Sequence, residues 1–108
     1  MAKFDQGKPP IHLIPTKAIK DAAYVFGFGA QKYGENNWRE DLDVMPYSRQ
    51  YSSIQRHLMA WFSGEDNDPE SGLPHLDHAL TQIMILKTSV DFGNTERIDD
   101  RYVDARTR

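Results

Sequence analysis

A chain of 108 residues with 39% hydrophobic and 11% aromatic content can close one small core, so a single domain covering residues 1–108 is expected. The net charge of -3, with an isoelectric point near 5.7, argues against a binder of duplex nucleic acid held by bulk electrostatics and favours a single nucleotide as the anionic partner. Cysteine is absent, as are a secretion signal and any run of the roughly 18 to 20 apolar residues that a membrane span needs, which predicts a soluble, cytoplasmic protein with no membrane partner.

Residues 4–15 contain three prolines and a glycine, which forbid a continuous helix and predict an ordered, extended arm across the body. Thr16 offers an N-cap oxygen. Ile19, Ala22, Ala23, Phe26 and Ala30 then recur at helical spacing up to Tyr33, and Gly34 can take the left-handed stop. Gly27 and Gly29 each weaken this helix by about 1 kcal/mol relative to alanine, which predicts a bend or a close backbone approach. Residues 34–44 have loop composition. A second helix opens at Pro46, places Tyr47, Tyr51, Ile54, Leu58 and Trp61 on one face, and ends at Gly64. An acidic loop, residues 65–72, leads to Pro74 and a third helix that runs to Gly93. Leu76, Ala79, Leu80, Ile83, Leu86 and Val90 form its expected buried stripe. Residues 94–108 offer only Ile98, Tyr102 and Val103 to a core, so they form either a short docking helix or a frayed tail. The reading is all-α: a small bundle of three main helices with a Pro-rich N-terminal arm and a short C-terminal segment. The second and third helices are antiparallel because their link is short.

Residues 56–78 gather His57, His75 and His78, three of the four histidines, with Glu65, Asp66, Asp68, Glu70 and Asp77. On the third helix His75, His78 and Gln82 form a polar stripe beside the apolar face, and an antiparallel hairpin carries His57 toward them. Imidazoles with carboxylates hold divalent ions such as manganese, zinc or iron, whereas oxygen ligands alone suit magnesium or calcium. The plainer alternative is that Asp66, Asn67 and Asp68 build a turn, that acidic groups favour a helix start, and that His75 and His78 are satisfied boundary histidines.

A second group lies at residues 32–39. Trp38 or Tyr33 can stack a base, Asn37 can bond its edge, and Lys32 or Arg39 can neutralise phosphates, although Trp38 taken alone reads as a loop anchor. Arg49 and Arg56 share a face of the second helix, and Lys8 from the arm can join them in a phosphate site.

Several of these stretches carry a resemblance: Lys3-Phe4-Asp5, Gly7-Lys8-Pro9-Pro10, Leu13-Ile14-Pro15, Phe26-Gly27-Phe28-Gly29-Ala30, Lys32-Tyr33-Gly34, Asn37-Trp38, Arg56-His57, Ala60-Trp61, Gly64-Glu65-Asp66, Asp68-Pro69-Glu70-Ser71-Gly72-Leu73, His75-Leu76 and His78-Ala79. From about Lys3 to Leu86 the chain resembles the N-terminal family of phage dATP/dGTP diphosphohydrolases, itself similar to MazG-like all-α nucleotide pyrophosphohydrolases. The resemblance implies a phage protein of the host cytoplasm that attacks the α-phosphorus of a purine deoxynucleoside triphosphate with water, releasing pyrophosphate. It implies a divalent ion, magnesium or manganese. Glu65, Asp68 and Glu70 are then the catalytic candidates, and His57, Glu65, His75 and His78 the metal ligands. Lys8, Lys32, Asn37, Trp38, Arg39 and Arg56 are the substrate-binding candidates. A homo-oligomer with sites near the subunit contacts is also implied, and Phe28, Met59, Phe62 and Met84 are expected to face outward.

The carboxylate pairs of MazG-like enzymes, Glu-Glu-x-x-Glu and Glu-x-x-Asp, are absent, and His75 and His78 stand where the second pair would. A non-catalytic nucleotide-binding protein that sequesters a host nucleotide signal is therefore the alternative. A His/Asp phosphohydrolase is weaker still, since Asp77 precedes His78 in the reverse order.

Overall fold

Pro15, Pro46 and Pro74 each stand immediately before a long helix in the computed structural model, which describes residues 7–102. The helices are α1 (Thr16–Tyr33), α2 (Asn37–Glu40), α3 (Tyr47–Phe62), α4 (His75–Phe92) and α5 (Thr95–Ile98), with no strand among the described residues. A proline suits these starts because its ring presets φ and its missing N–H would have been unpaired there anyway. Thr16 is thus the first helical residue rather than the cap, and no side chain caps α1. No helix among the described residues is long and apolar enough to cross a membrane.

Helix ends also follow from glycines. Gly34 closes α1 with φ of 103°, a conformation that side chains resist. Gly93 closes α4 for a different reason: a Cβ there would lie 2.2 Å from the Leu42 carbonyl oxygen. Gly27 and Gly29, by contrast, face no neighbour within 4 Å, and α1 passes through both unbroken, so the expected close approach is absent.

Residues 34–44 are not plain loop. They form α2 and a 3-10 turn, Asp41–Asp43, closed by local hydrogen bonds such as Arg39 N–H to the Asn36 carbonyl at 3.0 Å. Turns this short bury too little to leave a hydrophobic period. In the arm, Ile11–Leu13 coil into a 3-10 turn, and Ile11, Leu13 and Ile14 remain exposed. Residues 4–6 of the arm lie outside the described residues, as does Val103.

The architecture is built around α4. Gln50 Nε2 donates to Ser89 Oγ at 3.3 Å near one end of the α3–α4 pair, and His57 meets His75 at the other, which fixes the two helices as an antiparallel hairpin. On its other flank α4 packs against α1, where Thr81 Oγ1 donates to the Ala22 carbonyl. The apolar core is small: Ala22, Val25, Tyr47, Ile54, Ala79 and Ile98. Gln50, His75, His78, Thr81 and Ser89 are buried beside it.

The expected stripe of α4 is inward only in part, with Leu80 and Leu86 half-buried. Ala79 is buried, but Leu76, Ile83 and Val90 are 42%, 47% and 50% exposed. Tyr51 and Trp61 of α3 and Ile19 of α1 are likewise exposed. The face of α4 turned inward is its histidine face, because the hairpin closes on hydrogen-bonded polar groups. Met59, Phe62 and Met84 point outward as expected, whereas Phe28 turns in against His78.

The C-terminal segment docks. Ile98 is fully buried, Asn94 caps α5 by accepting from Arg97 N–H at 3.3 Å, and Asp100 accepts from Ser48 N–H at 2.8 Å at the start of α3.

Candidate active site

The hairpin brings residues of α3, of α4 and of the loop between them into one network. Gly64 and Gly72, with φ of 106° and 74°, turn the chain at either end of the loop. Asp68 N–H donates to the Leu73 carbonyl at 2.8 Å and His75 N–H to the Asp66 carbonyl at 2.9 Å, so the loop is pinned to the start of α4. Ser71 N–H donates to Asp68 Oδ2 at 3.0 Å. The turn-forming reading of these residues therefore holds together with the clustering one.

At the centre, His57 Nδ1 and His75 Nδ1 are 2.8 Å apart, so one carries a proton and the other presents a lone pair. Glu65 Oε1 lies 2.7 Å from Nε2 on the opposite edge of the His75 ring. A carboxylate can only accept, which places a proton on Nε2 and leaves Nδ1 of the neutral ring bare. This is the arrangement by which carboxylates orient metal-binding imidazoles. His78 stacks on His57 with ring centroids 4.6 Å apart and planes inclined by 6°. Its Nε2 is 2.6 Å from Ser71 Oγ, which also accepts from Leu73 N–H at 3.1 Å, so Ser71 ties His78 to the loop.

Electrostatics follow from this packing. Burial first, then the neighbouring rings of His78 and His75, push the His57 imidazole below its ordinary value. Burial does the same to His78 against the opposing pull of Asp68. For Asp68 burial works against ionisation, but the hydrogen bonds from Ser71 outweigh it and hold the carboxyl below its ordinary value. The result favours an ionised Asp68 beside a neutral His57, the protonation that metal binding requires of these two ligands. One donor atom each from His57, Asp68 and His75 lie within 4.8 Å of one another, so these residues fit a divalent ion. Glu65 and His78 fall outside that set, Glu65 behind His75 and His78 bonded to Ser71.

A cavity of about 640 Å³ opens above this network. His57, Asp68, Glu70 and His78 line one part, and Lys32, Asn37, Trp38, Arg49 and Arg56 line the rest. The two groups that sequence reading treated separately thus share one space. Not every candidate joins them. Lys8 is exposed and does not line the cavity. Arg39 turns away to stack on Trp38, 4.5 Å from its ring, and to bond the Asn36 side chain. Lys32 and Glu70 are ion-paired to each other. Trp38 is half-buried against the edge of Phe26, which supports its anchoring role, while still lining the cavity. Tyr33, Glu35, Asp41, Gln50, Thr81 and Gln82 are also part of the wall. Gln50 went unmarked in the sequence because a glutamine among helical polar residues carries no distinguishing spacing; its place one turn before Ile54 on the buried face of α3 was the available sign.

Fold and site together define an all-α domain with a histidine–carboxylate centre beside a cavity lined by charged groups of both signs and by aromatic rings. The chain belongs to the family described as dATP/dGTP diphosphohydrolase, N-terminal, which matches residues 1–101. It is 36% identical over 84 residues to a protein of Salmonella phage PMBT28 named dATP/dGTP diphosphohydrolase. That stretch covers 78% of this chain and 28% of the phage protein, so the chain spans well under half the length of that relative. No solved structure matches the chain.

Proposed function

We propose that this domain hydrolyses purine deoxynucleoside triphosphates such as dATP and dGTP, water attacking the α-phosphorus to give a deoxynucleoside monophosphate and pyrophosphate. The observation that carries the reading is the shared cavity: His57 and Asp68 line it, His75 stands buried behind them in the same cluster, and Lys32, Arg49 and Arg56 line it too. Its volume of about 640 Å³ lies in the range of small-molecule sites.

His57, Asp68 and His75 would hold the divalent ion, and two imidazole donors favour manganese over magnesium. Such an ion supplies charge neutralisation on the triphosphate and a lowered pKa for an attacking water. Glu65 positions His75. Arg49 and Arg56 are seven residues apart on α3 and offer guanidinium forks to phosphate oxygens. Lys32 exchanges Glu70 for a phosphate oxygen when substrate enters, and the released Glu70 carboxylate accepts a proton from the attacking water.

Incubation with dATP, dGTP, dTTP and dCTP, with and without manganese, tests the reading: purine triphosphates should yield monophosphate and pyrophosphate only with the metal. Tight retention of unchanged nucleotide would instead support the sequestering alternative. Self-association belongs to the same proposal. The outward aliphatic face of α4, Leu76, Ile83, Met84 and Val90, is the surface a second copy would cover.

A further inference from the structure

Gln50 is 8% exposed and lines the cavity, yet its Oε1 has no hydrogen-bond partner. The direction of this amide is chemically fixed. Its Nε2 lies 3.1 Å from the Met45 carbonyl oxygen, which can only accept, so the nitrogen must face that way. The fully buried Ser89 hydroxyl, 3.3 Å from the same nitrogen, is a second anchor. Gln50 therefore carries an unpaired acceptor, itself closed to solvent, in a side chain that lines the cavity, and has no donor to spare. Buried acceptors are rarely left unmet in native proteins, and one in a cavity wall calls for a donor from whatever enters.

The position of Gln50 limits what that donor is. Gln50 precedes His57 by seven residues on the same face of α3, which places it about 10 Å along the helix from the histidine cluster. That separation is comparable to the span from the α-phosphate of a nucleotide to the far edge of its base. Phosphate oxygens carry no proton to give an acceptor, so the Gln50 side chain itself suits the base rather than the triphosphate. Gln82, on α4 between the two ends, adds a second unpartnered buried Oε1 to the same wall.

We propose that Gln50 determines base specificity by accepting a hydrogen from the exocyclic amino group of a purine, with the triphosphate directed toward His57. The inference rests on the purine-triphosphate reading above. A site built to pair a donor discriminates against the analogue lacking it, because the buried acceptor is then stranded.

The test needs no substitution. In wild-type protein with manganese, kcat/KM for dGTP is compared with that for deoxyinosine triphosphate, which lacks the amino group. The value for dATP is compared with that for purine deoxyriboside triphosphate, which lacks it likewise. At least one pair should show a preference of about tenfold or more for the amino-bearing base. Gln50→Met, which removes the acceptor at similar length, should bring that ratio close to one, with a thermal melt confirming that the variant folds. Equal handling of both pairs by wild-type protein overturns the proposal, and so does an unchanged ratio in folded Gln50→Met. Dissociation constants for the same four nucleotides separate the two readings. Discrimination in binding without hydrolysis sinks the reaction and leaves Gln50 in its role. Hydrolysis without discrimination sinks Gln50 alone, and failure of all four to bind sinks both.

Discussion

Along α4 the face turned toward α3 and α1 carries His75, His78, Thr81 and Ser89, none more than 8% exposed, whereas the opposite face carries Leu76, Ile83, Met84 and Val90 at 42–50% exposure. Burying polar groups is unfavourable unless each finds a partner. Here most do: His75 has Glu65 and His57, His78 has Ser71, Thr81 has the Ala22 carbonyl, and Ser89 has Gln50. The inward face is therefore sustained by hydrogen bonds around a cavity. The outward face leaves aliphatic side chains in water. On the proposed reading, such a helix holds a ligand on one side and a neighbour on the other.

The largest expected effect breaks the inward side. His75→Ala removes the ring that links Glu65 to His57 and should lower manganese-dependent kcat/KM by about 100-fold or more. Leu76→Ala, one residue on and facing out, should change it by no more than about twofold. Similar losses in both variants would mean that the two faces do not differ in function.

Next comes the outward side. Ile83→Glu places a charge in the aliphatic patch, and sedimentation should show a smaller species than the wild type while circular dichroism stays helical. An unchanged mass would remove α4 as the contact between copies.

A smaller effect probes the mouth of the cavity. Lys32→Met should raise KM about fivefold, the loss expected of one partly exposed phosphate contact, with kcat less affected. A fall in kcat alone would place Lys32 in the chemistry instead.

The smallest prediction concerns the far end of the hairpin. Hydrogen bonds from the Ser48 side chain and backbone hold the Asp100 carboxyl below its ordinary value of 3.8. The folded state thus binds this proton less readily than the unfolded chain. The stabilisation is complete above that ordinary value and disappears as pH falls through the folded one. Asp100→Asn should melt below the wild type at neutral pH, and the gap should close on acidification. A gap independent of pH would show that the charge plays no part.

Much of the helical layout was legible beforehand. Pro46, Pro74 and Gly34 punctuate the chain by fixing or freeing φ, Gly93 by leaving room for the Leu42 carbonyl, and the spacing of apolar residues between them marked all three long helices. The clustering of His57, His75, His78 and Asp68 was also readable, since a short link between helices forces their ends together. The α2 turn was not, because a single helical turn has no period. Nor was the placement of Lys8 and Arg39 outside the cavity lining, which depends on an exposed arm and on stacking against Trp38.

What the sequence by itself determined is therefore the set of helices and the end of the bundle where the imidazoles and carboxylates meet, because both follow from local backbone rules and short loops. Only the tertiary structure decided which face of α4 turns inward, that Glu65 stands behind His75, and that Gln50 offers an unpaired acceptor. Periodicity shows that a helix has an apolar face, but whether its own chain or a second copy buries that face depends on how all the neighbouring surfaces pack.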